Sequence, residues 1–135
     1  HDREIKPDWV WGTFFMIKKE AIQKFPGHKL PEDYFMYGED IQWCYEIKKM
    51  NYEILYCPEA VVIHHLSSSG YADQCQQKNE TLLQNEYLFL KKYHSIAYAK
   101  ITFVIKALNF FSLSAKNKNF KELSKLCWRY VLRRS

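Results

Sequence analysis

Apolar and polar positions follow two different patterns along this chain, and the change falls near residue 98. In the first part, apolar runs of strand length occupy residues 9–17, 52–56 and 60–63. Residues 39–50 predict an amphipathic helix, because four apolar residues fall along one side: Ile41, Cys44, Ile47 and Met50. A shorter helix is predicted over 18–25. Residues 1–97 therefore predict an α/β domain.

Residues 98–135 predict a helical extension of this domain, which itself ends with a helix predicted over 79–93. Helical spacing covers residues 97–114. A broad apolar face lies opposite a narrow polar stripe, which consists of Thr102, Lys106, Asn109 and Ser112. Helical spacing also covers residues 120–134, where basic residues recur every four positions: Lys121, Lys125, Arg129 and Arg133. The sequence lacks eighteen consecutive apolar residues, so we do not expect these helices to cross a bilayer.

Composition indicates one small folded domain in a reducing compartment. The chain has 135 residues, of which 47% are hydrophobic and 17% aromatic, and this excludes a disordered chain. It begins with His1 and a polar run that lacks a signal-peptide pattern, so we expect a piece of a longer protein. The four cysteines form no C-x-x-C pair, which favours a reduced, cytoplasmic setting over a secreted disulfide scaffold.

Positive charge is concentrated at the C-terminal end. The net charge is +5, yet residues 100–135 hold nine Lys and Arg against the single acid Glu122. Such a block suits an anionic surface, either phospholipid or nucleic acid. Because the basic residues accompany broad aliphatic faces, the pattern favours peripheral attachment to the inner face of the cell membrane, and nucleic-acid binding is not expected.

The most specific local signal is the triplet Gly38, Glu39 and Asp40, which lies between an aromatic loop and the predicted helix. After this helix and one predicted strand comes PEAVVIHH, which ends at His65 and is followed by a serine-rich loop. Together with WGTFFMIKKEAI near the start and FMYGEDIQWCYEIKKM in the middle, this order resembles the rhamnosyltransferase-like branch of family 2 glycosyltransferases. The resemblance extends from about Trp9 to Gly70.

The resemblance implies a fold and an activity. The fold would be a partial GT-A fold, namely its C-terminal, acceptor-side strands and helices within residues 1–97, with the helical extension at 98–135. The intact enzyme would transfer a sugar, for example rhamnose, from a nucleotide-sugar donor to a glycan or lipid-linked acceptor with inversion, as in polysaccharide biosynthesis at the cell envelope.

Asp40 is the catalytic residue that the resemblance implies, with Glu39 in a lesser role. An inverting transfer needs one carboxylate that takes the proton of the acceptor hydroxyl, and Asp40 lies where family members place this base. Glu39 would orient the acceptor or support the loop. Any acidic pair in the first turn of a helix also stabilises that helix, so a purely structural role is the alternative.

The same resemblance implies two sets of binding residues. Trp11, Gly12 and Thr13 match the segment that lines the acceptor pocket, and Tyr37 would add an aromatic wall. The residues that would face the donor diphosphate follow the last predicted strand: His64, His65, Ser67 and Ser68. His64 would also bind the divalent metal, Mn²⁺ or Mg²⁺.

An absence limits these expectations. No D-x-D triplet occurs in the sequence, although GT-A enzymes of this family use one to hold the metal and the diphosphate. Most metal ligands would therefore belong to a preceding half, and the isolated fragment would be inactive and could self-associate. The cysteine and histidine spacings match no structural zinc site. The alternative function is a non-catalytic basic module that binds anionic membrane or nucleic acid, and the C-terminal helices could also pack on the missing half.

Overall fold

The structure is a computed structural model that describes residues 3–34, 36–63 and 71–133, with the side chains of 71–76 left out. Five α-helices lie in these ranges: α1 (Lys19–Gln23), α2 (Glu39–Lys49), α3 (Tyr71–Tyr93), α4 (Ile96–Leu113) and α5 (Lys118–Leu132). Contacts divide the chain into two compact units, His1–Ser69 and Gly70–Ser135. The domain division predicted at residue 98 stays a prediction.

The predicted α/β fold is wrong, since the described residues hold no strand or sheet and do not form a GT-A fold. Segments 9–17, 52–56 and 60–63 are irregular or extended, and one isolated antiparallel bridge pairs Ile5 with Tyr56. A strand needs a neighbour for its backbone hydrogen bonds, and within the described ranges these segments find no continuous partner. Apolar side chains that were expected in a sheet are therefore exposed, such as Met16, Val61 and Ile63.

The core of the first unit lies under one side of α2. Cys44 and Ile47 are buried there together with Phe25 and Ile54. Val10 and other apolar residues of the extended segments pack around this cluster. Burial of Cys44 and Ile47 confirms the predicted side of the helix, whereas Ile41 is exposed because it lies at the edge of that side.

The second unit is a three-helix arrangement of α3, α4 and α5. Phe103 is fully buried at its centre, and Ala99 and Ala107 are also fully buried on the same side of α4. Capping explains where two helices begin: Ser95 Oγ accepts the Tyr98 N–H at 3.0 Å before α4, and Asn117 Oδ1 accepts an N–H at 2.9 Å before α5. The short turn from the end of α4 to Asn117 places α4 and α5 side by side.

Helix α4 is apolar on its outer side as well as on its packed side. Five large residues three or four positions apart are 51–64% exposed: Tyr98, Ile101, Ile105, Leu108 and Phe111. We call this set the outer face of α4. By length and composition alone, α4 could cross a bilayer, and it is the one helix in the described ranges that could. Its Lys106 is nevertheless paired with Glu86 of α3 at 2.6 Å.

Candidate functional site

The start of α2 brings together two motifs that are 28 residues apart in the sequence. The backbone N–H of Gly12 donates a hydrogen bond of 3.2 Å to Oδ2 of Asp40. Oδ1 of the same carboxylate accepts the N–H of Ile41 at 2.8 Å, and Asp40 is only 8% exposed. The predicted acceptor segment and the predicted base therefore form one site, in which Asp40 joins the turn at Gly12 to α2.

Gly38 gives the chain its abrupt entry into α2. Its φ of 121° is a conformation that glycine adopts readily and other residues avoid. Tyr37 precedes it with a φ of 65°, which is uncommon for a residue with a side chain. Two successive residues with positive φ place both Glu39 and Asp40 in the first turn, where the positive end of the helix dipole favours carboxylates.

Gly12 lies against a side chain of this protein. A Cβ at this position would lie 3.5 Å from the Cβ of Asp40 and 3.9 Å from its Oδ2, which is ordinary contact. Glycine leaves room for another group to approach the backbone closely. In the described structure, Asp40 makes this approach.

Glu39 differs from its neighbour in its hydrogen bonds. Its Oε2 is buried and has no hydrogen-bond partner in the described part of the protein. A buried carboxylate oxygen without a donor costs free energy, which makes such groups rare in folded proteins. A donor such as a ligand hydroxyl would satisfy this oxygen.

Aromatic surface lies next to the carboxylates. Trp11 precedes Gly12 and is 72% exposed, and its ring meets that of Trp9 edge to face with centroids 5.0 Å apart. Thr13 is exposed and Tyr37 is half-buried. An exposed, laterally supported tryptophan offers an apolar face on which the C–H groups of a sugar can pack.

Two hydrogen bonds that the sequence analysis missed hold the loop before α2. Gln42 is fully buried and donates through Nε2 to Asp33, and Trp43 Nε1 donates to the carbonyl of Pro31 at 2.9 Å. They hold residues 31 and 33 of the preceding loop against α2. The local pattern gives no sign that Gln42 is buried, because a glutamine in an amphipathic helix is usually exposed.

Cys44 follows Asp40 by one helical turn and is not a nucleophile. Burial raises the pKa of its thiol, and the charge of Asp40 raises it further, whereas a hydrogen bond with the Val10 backbone lowers it. The thiolate is the reactive form, so this cysteine belongs to the core.

The predicted diphosphate site cannot be placed, because His64, His65, Ser67 and Ser68 lie outside the described residues. Across 3–34, 36–63 and 71–133, no three His, Cys, Asp or Glu side chains are close enough to hold a metal ion. Divalent-metal binding at His64 therefore stays a prediction.

Comparisons with known proteins add no assignment. No family model, no curated protein and no solved structure matches this chain. The resemblance to glycosyltransferases thus depends on the sequence motifs alone, and the site has to be judged by its chemistry.

Proposed function

We propose that this chain carries the acceptor side of an inverting glycosyltransferase, with Asp40 as the general base. The observation that carries the proposal is the hydrogen bond between Gly12 N–H and Asp40 Oδ2. It joins the two motifs that the resemblance assigns separately, one to acceptor binding and the other to catalysis. The proposal concerns the reaction, and the GT-A fold is no part of it.

In the proposed reaction, an acceptor hydroxyl approaches the carboxylates along the exposed face of Trp11. Asp40 takes the hydroxyl proton while the acceptor oxygen bonds to the anomeric carbon of the donor. The bond from this carbon to the nucleoside diphosphate breaks at the same time, and the diphosphate leaves with the electron pair. Glu39 Oε2 would accept a hydrogen bond from a second acceptor hydroxyl. Attack opposite to the leaving group inverts the configuration.

The test is Asp40→Asn in the longest natural polypeptide that contains this sequence. Asparagine keeps one oxygen that can accept the Gly12 N–H, but its NH₂ group replaces the oxygen that accepts the Ile41 N–H, and the side chain cannot take a proton. We therefore expect turnover to fall by roughly 10²-fold, with a smaller loss of Tm than in Asp40→Ala. Release of nucleoside diphosphate from a panel of nucleotide sugars, with and without acceptors, measures turnover.

Glu20→Gln is the matched control, because it removes another first-turn carboxylate of the same unit, in α1. We expect its turnover to match that of the wild type. If Asp40→Asn also keeps normal turnover, Asp40 only braces Gly12 against α2, and the enzymatic proposal fails.

A second function is favoured by the outer face of α4, namely reversible attachment to anionic membranes. Five large apolar residues exposed on one face form a patch that a soluble surface rarely carries without a partner. The nine basic residues of positions 100–135 make a lipid surface the complementary partner, since each contributes up to about 1 kcal/mol near anionic head groups. The helix would lie in the interface, because Lys106 and Glu86 pair on its packed side.

Liposome co-sedimentation tests the attachment. We expect Ile101→Ser combined with Ile105→Ser to reduce binding to phosphatidylserine vesicles, because both side chains belong to the outer face. Leu55→Ser is the control, since it removes an exposed leucine from the other unit. Binding should also weaken with added salt. Equal binding by the wild type, the double variant and Leu55→Ser would exclude the outer face of α4 as the membrane-binding surface. Stronger binding to nucleic acid than to vesicles would favour nucleic acid as the partner.

A further inference from the structure

A cavity of about 350 Å³ lies in the second unit, where α3 and α5 end and α4 begins. One face of α3 lines it through Gln84, Tyr87 and Lys91. The cavity is also lined by Ile96, the first residue of α4, and by Tyr130 and Arg133 near the end of α5. Three helices therefore contribute to one concave site, of a size typical for small ligands.

The cavity has two positive charges and no negative one. Lys91 and Arg133 come from different helices, and no Asp or Glu is among the lining residues. Neither side chain belongs to an ion pair in the part of the protein that the structure describes. Other cations of this unit do have acidic partners: Lys106 pairs with Glu86 at 2.6 Å and Lys125 with Glu122 at 2.7 Å.

The aromatic wall of the cavity supplies a hydrogen-bond donor. Tyr87 is 6% exposed, and its ring packs against that of Tyr130 with centroids 5.1 Å apart, which fixes both rings. Burial raises the pKa of Tyr130, with the charge of Glu80 adding to this effect, so its hydroxyl stays neutral and can donate. Gln84 offers a further amide donor.

We propose that this cavity binds a phosphate group, with Lys91 and Arg133 as its charged ligands and Tyr130 and Gln84 as neutral donors. Cations near the ends of α3 and α5 also stabilise those helix termini. This effect explains why each cation stabilises its own helix. It does not explain why both cations line the same cavity while no acidic residue does. The proposal is independent of sugar transfer by Asp40.

A lipid headgroup and free phosphate share this chemistry, and the test begins with inorganic phosphate. We expect titration into the ¹⁵N-labelled chain at constant ionic strength to give saturable shifts of the Lys91 and Arg133 amides. Lys91→Gln combined with Arg133→Gln should weaken binding by about 10-fold or more, as expected for loss of charge-assisted hydrogen bonds.

Lys118→Gln combined with Lys121→Gln is the control with equal charge loss. Both lysines lie at the opposite end of α5, about 18 Å (Lys121) and about 22 Å (Lys118) along the helix from Arg133. We expect this control to change binding by less than about 2-fold, since salt screens charges at that distance. Absence of saturable shifts, or equal weakening by both double variants, would overturn the proposal.

Vesicles distinguish the two sources of phosphate. Phosphatidylcholine vesicles containing phosphatidic acid present a phosphate monoester, whereas phosphatidylserine at equal surface charge does not. If Lys91→Gln with Arg133→Gln abolishes the preference for phosphatidic acid, the site takes a lipid headgroup. If the variant loses inorganic phosphate but keeps that preference, the site takes free phosphate.

Discussion

Phe103→Ala tests how much of the stability of the second unit depends on the packing of one buried aromatic ring. The Phe103 ring is fully buried and meets two tyrosine rings edge to face: Tyr87 at 5.1 Å and Tyr130 at 5.6 Å between centroids. Removal of a buried phenylalanine costs about 3–5 kcal/mol, because apolar contact is lost and a cavity remains. The total free energy of unfolding of a small domain is about 5–15 kcal/mol, so this variant should be close to unfolding.

Ile101→Ala is the matched control on the same helix. Ile101 is 62% exposed on the outer face of α4, and substitutions at such sites change the free energy of unfolding by about 0.5 kcal/mol or less. The pair therefore separates the packed side of α4 from its outer side, although the sequence makes both sides apolar.

Urea unfolding followed by far-ultraviolet circular dichroism gives the free energy of unfolding of both variants. We expect Phe103→Ala to lower the midpoint strongly and Ile101→Ala to leave it unchanged. Similar losses in both would refute the packing of α4, because the outer face would then be covered in solution. A small loss in Phe103→Ala would refute the central position of its ring.

Two further predictions follow from Cys127 and Asp40. Burial raises the pKa of Cys127 to about 11, from about 9, so the folded protein keeps this proton where the unfolded chain loses it. The free energy of unfolding should therefore be undiminished below pH 9 and fall as the pH rises towards 11. In a Cys75→Ser background, iodoacetamide should modify the exposed Cys57 well before Cys127. Asp40→Ala should lower Tm more than Asp40→Asn does, because the Gly12 N–H then also loses its acceptor, at a cost of about 1–3 kcal/mol. Thermal unfolding compares the two variants.

The sequence predicted α2 and α4 well, whereas α3 begins at Tyr71, eight residues before its predicted start, and the structure outside the helices was predicted poorly. The spacing of Cys44 and Ile47 identified the packed side of α2, and α4 begins and ends within one residue of its predicted limits. These features arise from contacts within a few residues. Segments 9–17 and 60–63 have strand composition, but a strand depends on a distant partner, and composition cannot supply one.

The candidate site was predictable only in part. The motifs identified Asp40 and Gly12, although not the hydrogen bond between them, because no local pattern relates residues 28 positions apart. Within the described residues, the burial of Gln42 and the lack of a hydrogen-bond partner for Glu39 Oε2 depend on tertiary packing, which no periodicity encodes. The cavity at Lys91 and Arg133 likewise needs the packing of three helices before its lining residues meet.

The contacts between α4 and α5 join residues that are closer in the sequence than those of the first unit, and this affects the order of folding. In the second unit, Ser124 Oγ donates to the Ala107 carbonyl only 17 residues earlier, across one short turn. In the first unit, the bridge from Ile5 to Tyr56 and the ion pair from Lys48 to Asp8 close loops of 51 and 40 residues. Long loops lose more entropy on closure and slow folding. During refolding, α4 and α5 should thus gain protection from hydrogen exchange before Gly12 reaches Asp40.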